Sequence, residues 1–305
     1  MAEAGAASPA VHTVQLAKRY GATVALAGLS MTVPRGEVFG FLGPNGAGKT
    51  TAVKLLLGLA RPSRGEAMLL GAPVGDRQAR RRVGYLPELF RYQGWLRAAE
   101  VLGLHCRLAR LPRSGWGDAI RDALALVGLA ERGQDRVQTF SKGMQQRLGL
   151  GVALLGRPAL VFLDEPTSAL DPVGRHDVRT IVSGLRDRGT TVFLNSHLLS
   201  EVEQICDRVA VVDHGRVVAE GRLQEMLAGD VVRVRCSDLR VEQLPELSRF
   251  GALTLRDGVL VAERLAQDLV PDLVASLVGL GARIHQVEPG RRSLEEHFLT
   301  LLRQP

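Results

Sequence analysis

The chain has 305 residues, 46% hydrophobic and 23% charged, enough for one large or two ordinary packed domains, and its 34 glycines suit the many tight strand–helix turns of an α/β protein. Its net charge of +7 is spread along the chain among acids, with Arg80-Arg81-Arg82 the longest basic run, which reads as a solvated surface rather than a nucleic-acid patch. Cys106, Cys206 and Cys236 are odd in number and far apart, which excludes a disulfide framework or a zinc site, and no apolar run nears the roughly 20 residues of a membrane span.

The first residues, MAEAGAASPAVHT, lack the basic start and apolar stretch of a secretory signal, so a cytosolic chain is expected. Val14–Leu16 and Val24–Val33 read as strands, with Tyr20-Gly21 turning between them. After a turn at 34–37, the apolar run Val38–Leu42 predicts a core strand. It runs into Gly43-Pro44-Asn45-Gly46-Ala47-Gly48-Lys49-Thr50, and Thr51–Leu59 follows with helical composition, Val53, Leu56, Leu57 and Ala60 on one face.

That run fits G-x-x-x-x-G-K-[ST], and a strand before it with a helix after it is the context a phosphate cradle needs. Glycines at 43, 46 and 48 allow close backbone approach, so that N–H groups can hold phosphate oxygens at the positive end of the helix. Lys49 is placed to reach the β- and γ-phosphates of ATP, and the Thr50 hydroxyl to ligate Mg²⁺, with Thr51 beside it.

Val83–Leu86 is expected as a strand, 95–130 as helices broken at Leu111-Pro112 and Gly115, and Gly143–Leu155 as a helix. Leu160–Leu163 is an apolar strand that stops at Asp164-Glu165. Asp164 suits Mg²⁺ through its water shell, and Glu165 suits a general base acting on water. A helix over 173–186, a strand over 190–194, a helix from Leu199 and a hairpin around His214-Gly215 complete an expected parallel sheet wrapped by helices. Near 230 the pattern changes. Strand 231–236, helix 241–249, strands 252–256 and 259–263, helix 266–280 and strand 283–288 follow the split-βαβ, ferredoxin-like order, and Ser293–Leu302 reads as a final amphipathic helix. The expected domains are 1–229 and 230–305.

In this order the motifs resemble those of the ATP-binding subunits of ABC transporters. TFSKGMQQR (139–147) resembles the signature that sets the family apart, with Phe-Ser-Lys-Gly-Met where Leu-Ser-Gly-Gly-Gln is usual, a form similar to that of one exporter-like branch. SALD (168–171) resembles the D-loop, and NSHLLSEVE the segment bearing the switch histidine. The resemblance implies a P-loop ATPase domain with a helical subdomain, plus a small C-terminal accessory domain. It implies that Ser141 and Gly143 contact the γ-phosphate from another subunit, that Asp171 couples the two sites, that His197 touches the γ-phosphate and that Tyr20 stacks on adenine. Glu88, in GYLPE, stands where the family usually has glutamine, near the nucleotide and the metal.

One phosphate loop and one signature per chain imply a head-to-tail pair with a second copy, closed by ATP. They also imply a separate multi-span membrane permease that the ATPase drives, with export expected, no nucleic acid, and a cytoplasmic chain peripheral to the inner face of the membrane. The segment 90–112 is the candidate surface for that permease, with Phe90, Tyr92 and Trp95 read either as exposed there or as core of the helical subdomain. A soluble ATPase acting on ribosomes or DNA is the alternative. It lacks support in a second ATPase unit, a basic linker or a coiled-coil insertion.

Overall fold

The protein is described by a computed structural model, which describes residues 8–168, 170–227, 231–263, 265–290, 294–295 and 297–298. It divides into two compact units, Met1–Leu223 and Gln224–Pro305. Residues 229 and 230, where the boundary was expected, and most of the expected final helix over 293–302 lie outside the described residues. Among the described residues no helix is long and apolar enough to cross a membrane.

The first unit contains two sheets. Strands β1 (Val11–Tyr20), β2 (Thr23–Val33), β4 (Arg64–Leu69) and β5 (Ala72–Pro73) form an antiparallel sheet in the order β2-β1-β4-β5. Strands β3 (Val38–Leu42), β6 (Val83–Leu86), β7 (Leu160–Asp164), β8 (Thr191–Asn195), β9 (Arg208–Asp213) and β10 (Arg216–Arg222) form the second sheet. Its order is β10-β9-β3-β8-β7-β6, parallel except for the β9–β10 hairpin. All five residues of β3, of β7 and of β8 are buried, as a parallel strand covered on both faces requires. Strands β4 and β5 have no counterpart in the sequence reading. Only Leu69 of β4 is fully buried, so the strand leaves little apolar alternation.

Phe193 of β8 is the hub of the core. Its ring lies 5.7 Å from that of Phe39, 5.2 Å from Phe41 and 4.9 Å from Phe162, in stacked or tilted contacts. Helices α1 (Lys49–Leu56), α2 (Arg77–Arg80), α6 (Pro172–Asp187) and α7 (Leu199–Ile205) complete the sheet unit, and α3 (Ala98–Leu108), α4 (Trp116–Leu126) and α5 (Lys142–Ala153) form a helical region between β6 and β7. Of the three aromatics left open between surface and subdomain core, two are packed here. The Phe90 ring lies against Gly149 and 5.3 Å from Tyr92, whose ring meets His105 edge-on at 5.8 Å. Trp95 is exposed.

After α8 (Leu223–Leu227), the second unit runs β11 (Val231–Ser237), a 3₁₀ segment (Val241–Phe250), β12 (Ala252–Arg256), β13 (Val259–Glu263), α9 (Val270–Gly279) and β14 (Arg283–Gly290). Its antiparallel sheet has the order β12-β13-β11-β14 over a core of Val232, Val234, Leu247, Phe250, Leu260, Leu273 and Leu277. The helix expected over 241–249 is 3₁₀ because Pro245, inside it, has no N–H to donate. Pro271 fits at the start of α9, where a missing N–H costs nothing.

Candidate functional site

The phosphate-loop residues lie where β3 ends. Gly43 leaves the sheet so close to β9 that a Cβ would sit 2.3 Å from the Val212 carbonyl oxygen. Gly48 has φ +97°, and a Cβ there would sit 2.4 Å from the Ala25 carbonyl oxygen. Between them Pro44 is half-buried, Asn45 and Gly46 are exposed and Ala47 is buried. The loop is braced from outside: Gly215 N–H donates to the Ala47 carbonyl at 3.0 Å, and Ala27 N–H donates to the Gly215 carbonyl at 3.1 Å.

Helix α1 begins at Lys49 with no side-chain cap and no acid in its first turn. Its leading N–H groups and positive end are therefore left for an anion. The Lys49 ammonium folds back over the loop, donating to the carbonyls of Gly43 at 2.6 Å and Pro44 at 3.1 Å. Burial lowers its pKa, while Glu165 and Asp164 pull it the other way. Thr50 is exposed and Thr51 half-buried.

Asp164 ends β7, paired in register with Asn195 at the end of β8. Only 4% of Asp164 is exposed, and burial raises its pKa; a 2.5 Å hydrogen bond from Asn195 Nδ2 opposes this, Glu88 adds to the rise, and Lys49 and Lys54 oppose it. Glu165 is buried and held at φ +51°, where its N–H donates to the Asn195 carbonyl at 2.9 Å. Its Oε2 lies 2.8 Å from Nδ1 of His197 without an aligned hydrogen bond. Glu88 is exposed just beyond β6, and the same charges act on Tyr85: burial first, then Asp164 and Glu88, raise its phenol pKa. Lys49, Asp164, Glu165, His197 and Glu88 thus share one electrostatic neighbourhood.

The other expected residues sit apart from it. Ser141 caps α5, its Oγ accepting from Met144 N–H at 3.2 Å. Asp171 caps α6, its Oδ1 accepting from Gly174 N–H at 2.8 Å. Gly143 faces Leu170, so these two helix starts adjoin. Among the described residues, no hydrogen bond or ion pair joins Ser141, Gly143 or Asp171 to residues 43–50. Tyr20 is half exposed at the end of β1, with the Lys18 ammonium 4.9 Å from its ring centre.

Asn195 is absent from the sequence reading. Its signal was slight, one polar residue ending the apolar run TVFL. Among the described residues no group of three or more His, Cys, Asp or Glu is placed to hold a metal. Thr50 and Asp164 supply hard oxygen donors, which fit a Mg²⁺ that completes its shell with phosphates and water rather than a metal closed in by protein ligands.

Comparison with known proteins gives the same family throughout. Residues 26–168 match the ABC transporter family. An uncharacterized ABC transporter ATP-binding protein of Nostoc sp. is 42% identical, over 92% of this chain and 84% of its own. The daunorubicin/doxorubicin resistance ATP-binding protein of Streptomyces peucetius is 36% identical, over 97% of this chain and 93% of its own. A solved ATP-binding subunit of an ABC transporter superposes with a TM-score of 0.64 at 30% identity, covering 71% of this chain and 91% of that one.

Proposed function

Because this chain belongs to the ABC transporter family, as one of its ATP-binding subunits, we propose that it hydrolyses ATP at the site of Lys49, Asp164, Glu165 and His197 to drive export through a separate permease. The observation that carries this reading is the meeting of these side chains at the ends of β3, β7 and β8, with Glu165 Oε2 2.8 Å from His197 Nδ1. The resistance relative supports export.

In this reading the N–H groups of Gly43–Thr51 cradle the phosphates and Tyr20 stacks on the adenine. Lys49 gives up its two carbonyl contacts for the β- and γ-phosphates. Thr50 and Asp164 hold Mg²⁺, with Glu88 beside them. When bound, the metal neutralises charge developing on the phosphates. Glu165 takes a proton from the attacking water, and His197, whose Nδ1 lies 2.8 Å from Oε2, holds that carboxylate and senses the γ-phosphate.

Ser141, Gly143 and Asp171 serve the site of a second copy. Their helix starts offer N–H groups to a γ-phosphate, but they do not join their own phosphate loop. Two chains therefore close head-to-tail over two ATP molecules, and hydrolysis removes the shared anion and lets the pair open. The chain works in the cytoplasm, on the inner face of the membrane. The Ser-Lys-Gly-Met signature supports the exporter-like branch, and residues 230–305 serve as a ferredoxin-like accessory domain outside catalysis.

The test is affinity purification of the tagged Glu165→Gln chain with ATP and Mg²⁺ from gently solubilised membranes. A multi-span membrane protein in stoichiometric amount is the expected companion. Ribosomes or DNA-processing proteins in its place would overturn the export reading.

A further inference from the structure

We infer that Asn195 is the positioning residue that sets both site carboxylates at once. Two of its groups reach two different acids. The carboxamide Nδ2 donates to Asp164 Oδ1 at 2.5 Å, and the main-chain carbonyl accepts the Glu165 N–H at 2.9 Å. The β7–β8 register, which pairs Asp164 with Asn195, places both contacts. Both side chains are almost wholly buried, Asn195 at 3% and Asp164 at 4% exposure, so no bulk water stands in for the amide.

The chemistry fixes which end of the amide faces the acid. Asp164 offers a carboxylate acceptor, and the reverse orientation would set oxygen against oxygen. With Oδ1 of Asp164 held by this bond, its other oxygen is left to meet the metal. Glu165 depends on the same residue in another way. Its backbone has φ +51°, a conformation a glutamate adopts only when its surroundings impose it. The hydrogen bond to the Asn195 carbonyl supplies part of that restraint.

Two of the four buried side-chain atoms without a hydrogen-bond partner among the described residues belong to this pair, Glu165 Oε2 and Asn195 Oδ1. Both are acceptors. They suit a site completed by a donor such as water, which is what a Mg²⁺–nucleotide complex carries in.

This inference rests on the assignment of Asp164 as a metal ligand. The test uses the full-length chain with ADP, and Mn²⁺ titrated in as the probe, its binding followed by electron paramagnetic resonance. Metal-free ADP binding is the control. Asn195→Ala is expected to weaken Mn²⁺ binding about 10-fold to 100-fold, with metal-free ADP affinity unchanged, the usual effect of losing a partner that orients a ligand. Asn195→Leu keeps the size, removes the donor without adding a charge and guards against a variant that fails to fold; it is expected to weaken Mn²⁺ binding in the same range. Asn195→Ser, which restores a donor, should recover part of the loss. Parent-like Mn²⁺ binding in both Asn195→Ala and Asn195→Leu, with Asp164→Asn defective, would overturn the inference alone. Parent-like binding in Asp164→Asn as well would instead remove the metal assignment on which it rests.

Discussion

Glu165 and Gly43 show how narrowly single positions are constrained around the loop. Glutamine at 165 keeps the size and the backbone hydrogen bond of glutamate but cannot take a proton. Turnover of Glu165→Gln, read as phosphate release, should fall by roughly 10²-fold to 10⁴-fold while equilibrium ATP binding stays close to the parent's. Near-parent turnover would remove Glu165 as the base. At Gly43 the obstacle is steric: a Cβ would press on the Val212 carbonyl at 2.3 Å, and neither backbone can yield without disturbing β9 or the loop. Gly43→Ala should lose about 1–3 kcal/mol of stability in a denaturant titration and bind ATP more weakly. A variant with parent stability and affinity would show that the loop can shift aside.

Strand β8 carries the core and the site on one short element. Its centre places Phe193 among three other phenylalanine rings, and its end delivers Asn195, with His197 two residues on. Phe193→Ala should cost about 3–5 kcal/mol in urea unfolding, the range for emptying a buried aromatic site. Its ATP affinity should fall with it, because the strand end that holds Asp164 loses its anchor. A stability loss with unchanged affinity would mean that the site is held from the β7 side alone. The elements most readable from sequence were of this kind. Val38–Leu42 and Leu160–Leu163 are unbroken apolar runs, and G-x-x-x-x-G-K-T specifies its own strand and helix. Strands β4 and β5 escaped because a sheet with one open face leaves shallow alternation in six and two residues. Phe90 and Tyr92 stayed open between surface and core for another reason: composition marks an aromatic as a contact, but only the fold says with what. Asn195 escaped because its partner is set by register between strands 31 residues apart, which no local pattern encodes.

At the scale of the whole molecule, no hydrogen bond or ion pair among the described residues joins Ser141 or Gly143 to the phosphate loop of the same chain, in keeping with the proposal that they serve the site of a second copy. Glu165→Gln with ATP and Mg²⁺ should elute in light scattering at twice the 32.9 kDa of one chain, and the same sample with ADP at the single mass. A species of single mass in both would count against the head-to-tail pair. The hairpin tip at His214-Gly215 has a different consequence. One residue, Gly215, is stitched both to Ala47 in the loop and to Ala27 in the antiparallel sheet, so the two sheets of this unit grip the cradle between them. The loop is then stiff before any ligand arrives, and its ordering entropy is already lost when the chain folds. Amide hydrogens of Gly215 and Ala27 should exchange with deuterium slowly in the empty protein, and hardly more slowly once ATP is added. The nucleotide meets a mould that has already set.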